Sequence, residues 1–243
     1  MQANGYGAQT LKLITDLHQQ GISRMGVIMR HSARERITSE ENVLSMGLTE
    51  QGRQNAYRFG EKFPSGACVR VFSSPVERCR DTAACIADGY RAQGGSTATL
   101  RVVDDLGPFY IIDSPTVFRM TAEAGSSRFL RQWFSGEIAP EIMMPAPQAA
   151  DILLRAMLAA FRENHDELPA LCISHDWNIF LLKDYYLGLP HEEFGDVHFL
   201  EGMLLYERQR ELYLAHHHGE AKQIDVTNLH PKTGTGNGGK THD

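Results

Sequence analysis

Three short apolar runs in this chain each end in basic or titratable side chains. With the residues directly after them, they are residues 27–34 (VIMRHSAR), 69–78 (VRVFSSPVER) and 171–177 (LCISHDW). A brief apolar run is typical of a buried strand, and in an open α/β sheet ligands bind just beyond the carboxyl ends of the strands. The sequence therefore predicts an α/β fold in which these three polar ends meet at one edge of the sheet.

The three ends carry the groups that phosphoryl transfer uses. They are Arg30, His31, Arg34, Arg78, His175 and Asp176. Guanidinium groups grip phosphate through charge-assisted, often bidentate hydrogen bonds, and an imidazole can act as a nucleophile. A carboxylate can exchange a proton with a leaving oxygen. Together the residues outline a phosphoryl-transfer site.

A helix start is predicted directly after the second run. Ser74 is typical of an N-cap, Pro75 of a first helical residue, and Glu77 completes a capping box three residues after the cap. Arg78 then falls in the first helical turn, where side chains lean back toward the helix N-terminus. We therefore expect Arg78 to point toward the same edge of the sheet as His31.

Four segments, in this order, resemble the histidine phosphatase superfamily, which also contains the cofactor-dependent phosphoglycerate mutases. They are residues 30–34 (RHSAR), 48–53 (LTEQGR), 73–83 (SSPVERCRDTA) and 175–176 (HD). The Arg-x-x-x-Arg spacing of the first segment and the His-Asp pair are closer to the family's acid phosphatase branch. The resemblance implies a three-layer α/β/α sandwich with a mostly parallel sheet. Alternating apolar residues around a polar turn at 202–216 add an antiparallel hairpin at the C-terminal end of that sheet.

The resemblance also implies a mechanism, in which His31 carries a covalent phosphohistidine. Arg30, Arg34, Arg78 and His175 are then expected to bind the phosphate, and Asp176 to act as general acid. No metal and no cofactor is expected, because the arginines supply the positive charge. The mutase branch takes its acid from a glutamate near residue 105, where this chain has Asp104 and Asp105. That difference disfavours a mutase and leaves Asp105 as a rival to Asp176.

Ser32 stands where the family has glycine, which would ease a tight turn. The serine could simply fit, donate a further hydrogen bond to phosphate, or reduce activity. The function predicted is a metal-independent phosphatase acting on a phosphomonoester or phosphoramidate. The alternatives are a protein phosphohistidine phosphatase, a phosphomutase, and a catalytically weak module that binds a phosphate ligand or a protein.

The chain length suits one domain over residues 1–230, with a helical insertion at about 105–145 and a flexible tail at 231–243. The insertion could cover the crevice as a lid or extend the core. The polar segment 34–42 could be a substrate-side flap or an exposed loop.

A net charge of −6 argues against a nucleic-acid partner. The N-terminal residues predict neither a signal peptide nor a membrane span, so we expect a cytoplasmic protein whose partner is a small phosphorylated substrate or a phosphoprotein. The sequence leaves the oligomeric state open. The four cysteines are expected to be reduced, and the histidines at 216–218 are expected at the surface beyond a strand end, because no carboxylate or cysteine stands at ligand spacing.

Overall fold

The computed structural model describes residues 6–22, 24–35, 45–64, 68–163 and 169–229. A single sheet runs through the described part of the chain. Its strands are β1 (Met25–Arg30), β2 (Cys68–Ser73), β3 (Ser96–Thr97), β4 (Arg101–Val102), β5 (Ala170–Ser174), β6 (Gly202–Arg208), β7 (Glu211–Ala215) and β8 (Lys222–Gln223). The strand order is β3-β2-β5-β1-β6-β7-β8, and β4 also pairs with β2.

The sheet is parallel on one side of β1 and antiparallel on the other. Strand β5 lies between β1 and β2 and is parallel to both, whereas β6 is antiparallel to β1 and forms the predicted hairpin with β7. The parallel register pairs Arg30 with Ser174 and Ser73 with Ile173, so the three apolar runs end at the same edge. The predicted convergence of the strand ends is confirmed.

Helices cover both faces of the sheet. They are α1 (Ala8–Gln19), α2 (Glu50–Lys62), α3 (Glu77–Ala92), α4 (Ser114–Ala124), α5 (Ser126–Phe134), α6 (Ala146–Arg162), α7 (Asp176–Leu182) and α8 (His191–Phe194). Side chains of a strand alternate between faces. Val27 and Met29 therefore pack with α1, α2 and α3, while Ile28 packs with the helices α4 to α7. The three-layer α/β/α arrangement is confirmed.

Two local predictions differ from the structure. Helix α3 begins at Glu77, two residues later than predicted, because the carbonyl of Val76 accepts the first helical hydrogen bonds, from the N–H groups of Cys79 and Arg80. The sequence predicts a single strand over 97–103, and the structure has two short strands, β3 and β4, which both pair with β2. The sequence also predicts Thr49 as an N-cap, and Thr49 does cap α2, accepting from the Gly52 N–H at 2.9 Å.

The histidines at the end of β7 also differ from expectation. His216 is only 1% exposed and donates to the buried carboxylate of Glu201, so it is not a surface residue. Residues 36–44, which include most of the expected flap, and the tail 231–243 lie outside the described residues. Across the described ranges, every helix is too short or too polar to cross a bilayer.

Candidate active site

His31 lies directly beyond β1 with one ring nitrogen fixed by the backbone. Its Nδ1 is 2.7 Å from the Ser32 carbonyl oxygen, which can only accept, so Nδ1 carries the proton and Nε2 holds a free electron pair. Nε2 accepts a hydrogen bond from Arg78 Nε at 3.0 Å. Burial, reinforced by His175 and Arg78, lowers the pKa of His31 well below its ordinary value. The imidazole is therefore neutral and presents the nitrogen that a nucleophile needs.

His175 lies at the end of β5 and faces His31 across the site. The two ring centroids are 5.7 Å apart, and the Arg78 guanidinium bridges them by donating from Nη2 to His175 Nδ1 at 3.3 Å. His175 Nε2 donates to the Ser74 hydroxyl at 2.9 Å. Burial, with help from Arg78, lowers the pKa of His175 to about 3, so this ring is neutral as well. Arg78 leans back from the first turn of α3, where the sequence predicted it.

Arg30 and Asp176 form an ion pair at the mouth of the site. Arg30 Nη2 is 2.9 Å from Asp176 Oδ2, and its other terminal nitrogen donates to the Val197 carbonyl at 2.5 Å. The guanidinium also lies 4.3 Å from the centroid of the Phe199 ring. Because Asp176 opens α7 immediately after His175, this ion pair brings a carboxylate beside the two histidines.

The remaining candidates occupy different parts of the same edge. Arg34 donates to the Glu35 carbonyl (2.7 Å), and burial together with the positive charge of Arg78 lowers its pKa. Asp105 lies in a turn of 3-10 helix at 104–106, after β4. That turn is held to the site by the Leu106 carbonyl, which accepts from the Ser174 hydroxyl at 2.7 Å. Asp176 directly follows His175 and contacts Arg30, so its position makes it the first candidate for the acid, and Asp105 remains the second.

Ser32 is fully buried and its hydroxyl has a protein partner. Oγ donates to the Gly52 carbonyl at 2.8 Å, and the Ser32 N–H donates to Thr82 Oγ1 at 3.0 Å. Within the described ranges, the non-glycine residues with positive φ are Leu200, Gln209 and Arg210, so Ser32 occupies ordinary backbone space that does not require glycine. Serine therefore fits here and fastens the loop after β1 to α2, and we assign it no phosphate contact.

Sequence reasoning missed the segment 197–201, which contacts the site from the other side of β1. Val197 and Phe199 hold Arg30, and the Phe199 ring centroid lies 5.9 Å from that of His31. The Glu201 carbonyl accepts the Arg30 N–H at 2.9 Å. No local pattern marks this segment, because only the pairing of β6 with β1 brings it to the site.

A cavity of about 270 Å³ opens beside Arg30 and Asp176. Trp177 and Phe180 give it aromatic walls, and Ser127 of α5 and His198 add polar groups. Helix α5 lies in the segment that we predict as a helical insertion. Its Phe129 and Trp133 are buried in the core, and its first turn lines the cavity.

The described fold and the two histidines among arginines at one edge of its sheet agree with the resemblance to the histidine phosphatase superfamily. The family model of the histidine phosphatase superfamily (branch 1) matches residues 27–207, and the chain belongs to that superfamily. The matching model is that of branch 1, so the closer kinship with the acid phosphatase branch is not confirmed. No curated protein matches the sequence significantly.

Solved structures of other proteins share this fold. YhfR of Bacillus stearothermophilus superposes with a TM-score of 0.55 at 16% identity, over 79% of this chain and 95% of that one. A mycobacterial glucosyl-3-phosphoglycerate phosphatase in complex with VO3 gives 0.51 at 21% identity, over 75% and 90%. A phosphoserine phosphatase mutant from Entamoeba histolytica in complex with phosphoserine gives 0.50 at 15% identity, over 84% and 98%. At these identities the likeness concerns the fold.

Proposed function

We propose that this protein is a phosphatase that hydrolyses a small phosphomonoester through a phosphohistidine on His31. The observation that carries the proposal is the fixed tautomer of His31. Its Nδ1–H donates to the Ser32 carbonyl, and its unprotonated Nε2 accepts a hydrogen bond from the guanidinium of Arg78. A neutral imidazole aimed at a cluster of cations is arranged to attack phosphorus.

The arginines supply the charge that the phosphoryl group needs. Three guanidiniums, of Arg30, Arg34 and Arg78, stand against the carboxylate of Asp176, and both histidines are neutral. In a loose transition state the charge spreads over the nonbridging oxygens, where positioned cations stabilise it. Arg78 hydrogen-bonds His31 before substrate arrives, so it must turn part of its guanidinium from Nε2 to the phosphate.

The two chemical steps need one nucleophile and one proton carrier. His31 Nε2 forms a bond to phosphorus while the ester P–O bond breaks, and Asp176 gives its proton to the departing oxygen. A water then attacks the phosphohistidine, the Asp176 carboxylate takes a proton from that water, and the N–P bond breaks to release phosphate. Asp176 serves as acid and then as base, as microscopic reversibility requires. An incoming phosphate competes with Asp176 for Arg30, which frees the carboxylate to exchange its proton.

The cavity beside Arg30 is where we place the leaving group. Its volume of about 270 Å³ lies near the lower end of small-molecule sites, which are typically about 300–1,000 Å³. Aromatic walls and the hydroxyl of Ser127 suit a compact, partly polar alcohol. These features favour a small phosphate ester over a phosphorylated protein.

The test is hydrolysis of para-nitrophenyl phosphate and of a panel of natural phosphate esters, with EDTA present, at mildly acidic to neutral pH. We expect wild type to turn over and His31→Ala to lose activity. His18→Ala, which removes an exposed histidine of α1, serves as the matched control. Rapid quenching of wild type should trap an acid-labile phosphoenzyme that His31→Ala lacks.

Two outcomes would overturn the proposal. Activity that survives in His31→Ala would exclude His31 as the nucleophile. Retained binding of inorganic phosphate with no turnover across the panel would favour a phosphate-binding module on this fold.

A further inference from the structure

A second cluster of titratable side chains lies farther along the same edge of the sheet, at β6 and β7. It is formed by Glu201, which precedes β6, and by three consecutive histidines, His216, His217 and His218, which come directly after β7. One potential ligand atom of each residue lies within 4.8 Å of those of the others. The chain turns at 217–218, so the three imidazole rings gather on one side with centroids 4.1–4.9 Å apart.

His216 is oriented as a metal-ligating histidine would be. Its Nε2–H donates to Glu201 Oε1 at 3.1 Å, and the other carboxylate oxygen accepts the His198 N–H at 2.9 Å. This leaves Nδ1 without a proton, and it meets only the His218 N–H at a long 3.2 Å. A histidine that binds a metal commonly gives its other N–H to a carboxylate, which fixes the tautomer and raises the basicity of the ligand.

The other two histidines offer nitrogens with no competing partner in the described part of the chain. Nδ1 of His217 and Nδ1 of His218 are both buried and have no hydrogen bond to any described residue. Burial lowers the pKa of both rings. A metal binds the unprotonated nitrogen of an imidazole, so each of these two unpartnered nitrogens is placed to accept one.

Charge around the cluster includes an anion and an opposing amine. Burial alone would raise the pKa of Glu201, but hydrogen bonds from His216 and the His198 N–H bring it to about 2, so the carboxylate is ionised. Lys183 is fully buried close by, with no hydrogen-bond partner for Nζ among the described residues, and burial lowers its pKa.

In a second group of residues that could bind a metal, an arginine already neutralises the carboxylates. Asp184, His191 and Glu192 also lie close together, but Arg131 donates to both carboxylates at 2.7 Å. That guanidinium occupies the oxygens a metal would need. Among the residues that the structure describes, no guanidinium competes in this way for the histidines of the Glu201 cluster.

We propose that His216, His217 and His218, with Glu201 orienting His216, form a binding site for a divalent transition metal of the Zn²⁺ type. Imidazole nitrogens are favoured ligands of this class of metal, and a carboxylate commonly holds the other ring N–H of such a histidine. Bonds of about 2.1 Å in a tetrahedral site hold ligand atoms roughly 3.4 Å apart, so the turn at 216–218 closes around the ion. The sequence shows no carboxylate at ligand spacing for these three histidines, and the fold brings Glu201 to His216 as its outer partner.

The site has a structural role, because it joins the end of β7 to the segment that supports Arg30. Glu201 fixes the His198 N–H through its side chain, and its carbonyl accepts the Arg30 N–H. Leu200 between them is buried with φ at 61°, a conformation that a side chain tolerates only when its surroundings hold it. A bound metal would hold this strained segment through His216 and Glu201.

The experiment uses the full chain without an affinity tag. The protein is dialysed first against EDTA and then against buffer without EDTA. Zn²⁺ titration by calorimetry should show one bound equivalent, and Co²⁺ should give the intense visible absorption of a tetrahedral site. His217→Ala and His218→Ala, at half-buried positions, should each weaken Zn²⁺ affinity by at least the roughly 10- to 100-fold that the loss of an outer-shell partner alone causes. Zn²⁺ should raise the Tm of wild type and leave the Tm of the double variant unchanged.

His191→Ala serves as the matched control, because it dismantles the other grouping and should leave Zn²⁺ affinity unchanged. The proposal fails if wild type binds no Zn²⁺, if the double variant binds it as tightly as wild type, or if His191→Ala abolishes binding. Because each readout is binding or thermal stability, failure here leaves the proposed phosphatase activity untouched.

Discussion

The hydroxyl of Ser32 gives the sharpest check on the geometry around His31. It is fully buried and donates to the Gly52 carbonyl at 2.8 Å, which makes it a fastening between the loop after β1 and α2. A buried neutral hydrogen bond contributes a net ~0.5–1.5 kcal/mol. We therefore expect Ser32→Ala to lower the free energy of unfolding by about 1 kcal/mol. For a domain of this size, that corresponds to a fall in Tm of about 2–4 °C.

Ser73→Ala is the matched control for this variant. Its hydroxyl is equally buried at the same sheet edge and donates to the Ser74 carbonyl at 2.8 Å. Urea unfolding should place the two variants within about 0.5 kcal/mol of each other, because each loses one buried hydrogen bond of the same kind. Ser32→Gly should lose a further ~0.4–1 kcal/mol, since glycine adds freedom to the unfolded chain and Ser32 does not use a glycine-only conformation.

Measuring the activity of Ser32→Ala distinguishes a hydroxyl that only holds the loop from one that binds phosphate. A donor aimed at the developing charge typically costs ~10²–10³ in rate when removed, so if the hydroxyl only fastens the loop, kcat/KM of Ser32→Ala should fall by less than about tenfold. A loss of the larger size in Ser32→Ala, with Ser73→Ala near wild type, would refute our assignment of the hydroxyl.

The site gives three further predictions. Burial lowers the pKa of His175 to about 3 in the folded chain, against 6.5 when unfolded. Below pH 6.5 the unfolded chain therefore binds a proton at His175 that the folded chain does not, which should cost about 2 kcal/mol of stability between pH 7 and pH 5. Urea unfolding of His175→Gln should show that much less pH dependence than wild type, and equal pH dependence would contradict the argument. Asp176→Asn should lower kcat on an alkyl phosphate by about 10² or more. It should lower kcat less on para-nitrophenyl phosphate, whose leaving group needs little protonation, and equal losses on both esters would argue against the acid role. A methyl group on Gly52 would lie 2.0 Å from the Ala33 carbonyl oxygen. Gly52→Ala should therefore lower the free energy of unfolding by about 1–3 kcal/mol, measured as a lower urea midpoint. An unchanged midpoint would show that α2 can move without cost.

The parts of the site carried by local patterns could be predicted from the sequence. The runs before Arg30 and His175 are short and apolar because both faces of the parallel strands are buried, and the shared register of these strands aligns the polar residues at their ends. The Thr49 cap was equally local. Arg78 was placed correctly even though the helix start was misjudged, because a shift of two residues keeps it within the first turn.

The parts that failed depend on contacts between distant segments. Ser74 has the residue type of an N-cap, but its hydroxyl is hydrogen-bonded to His175, about a hundred positions away. Arg30 is held by Val197 only because β6 lies antiparallel beside β1. The carboxylate that pairs with the buried His216 comes from Glu201, just before the neighbouring strand β6. No window of sequence contains such pairs, since folding alone makes them neighbours.

The position of β1 bears on how the protein is made. Its two neighbours in the sheet are β5 and β6, so both come from the last third of the described chain. A ribosome adds about 5–20 residues per second, so roughly 10–30 s pass between the emergence of β1 and that of β5. During that interval Val27, Ile28 and Met29 have no partner strand, and an unpaired apolar edge invites association with other chains. The strand that ends at His31 is thus one that nascent-chain chaperones have reason to shield.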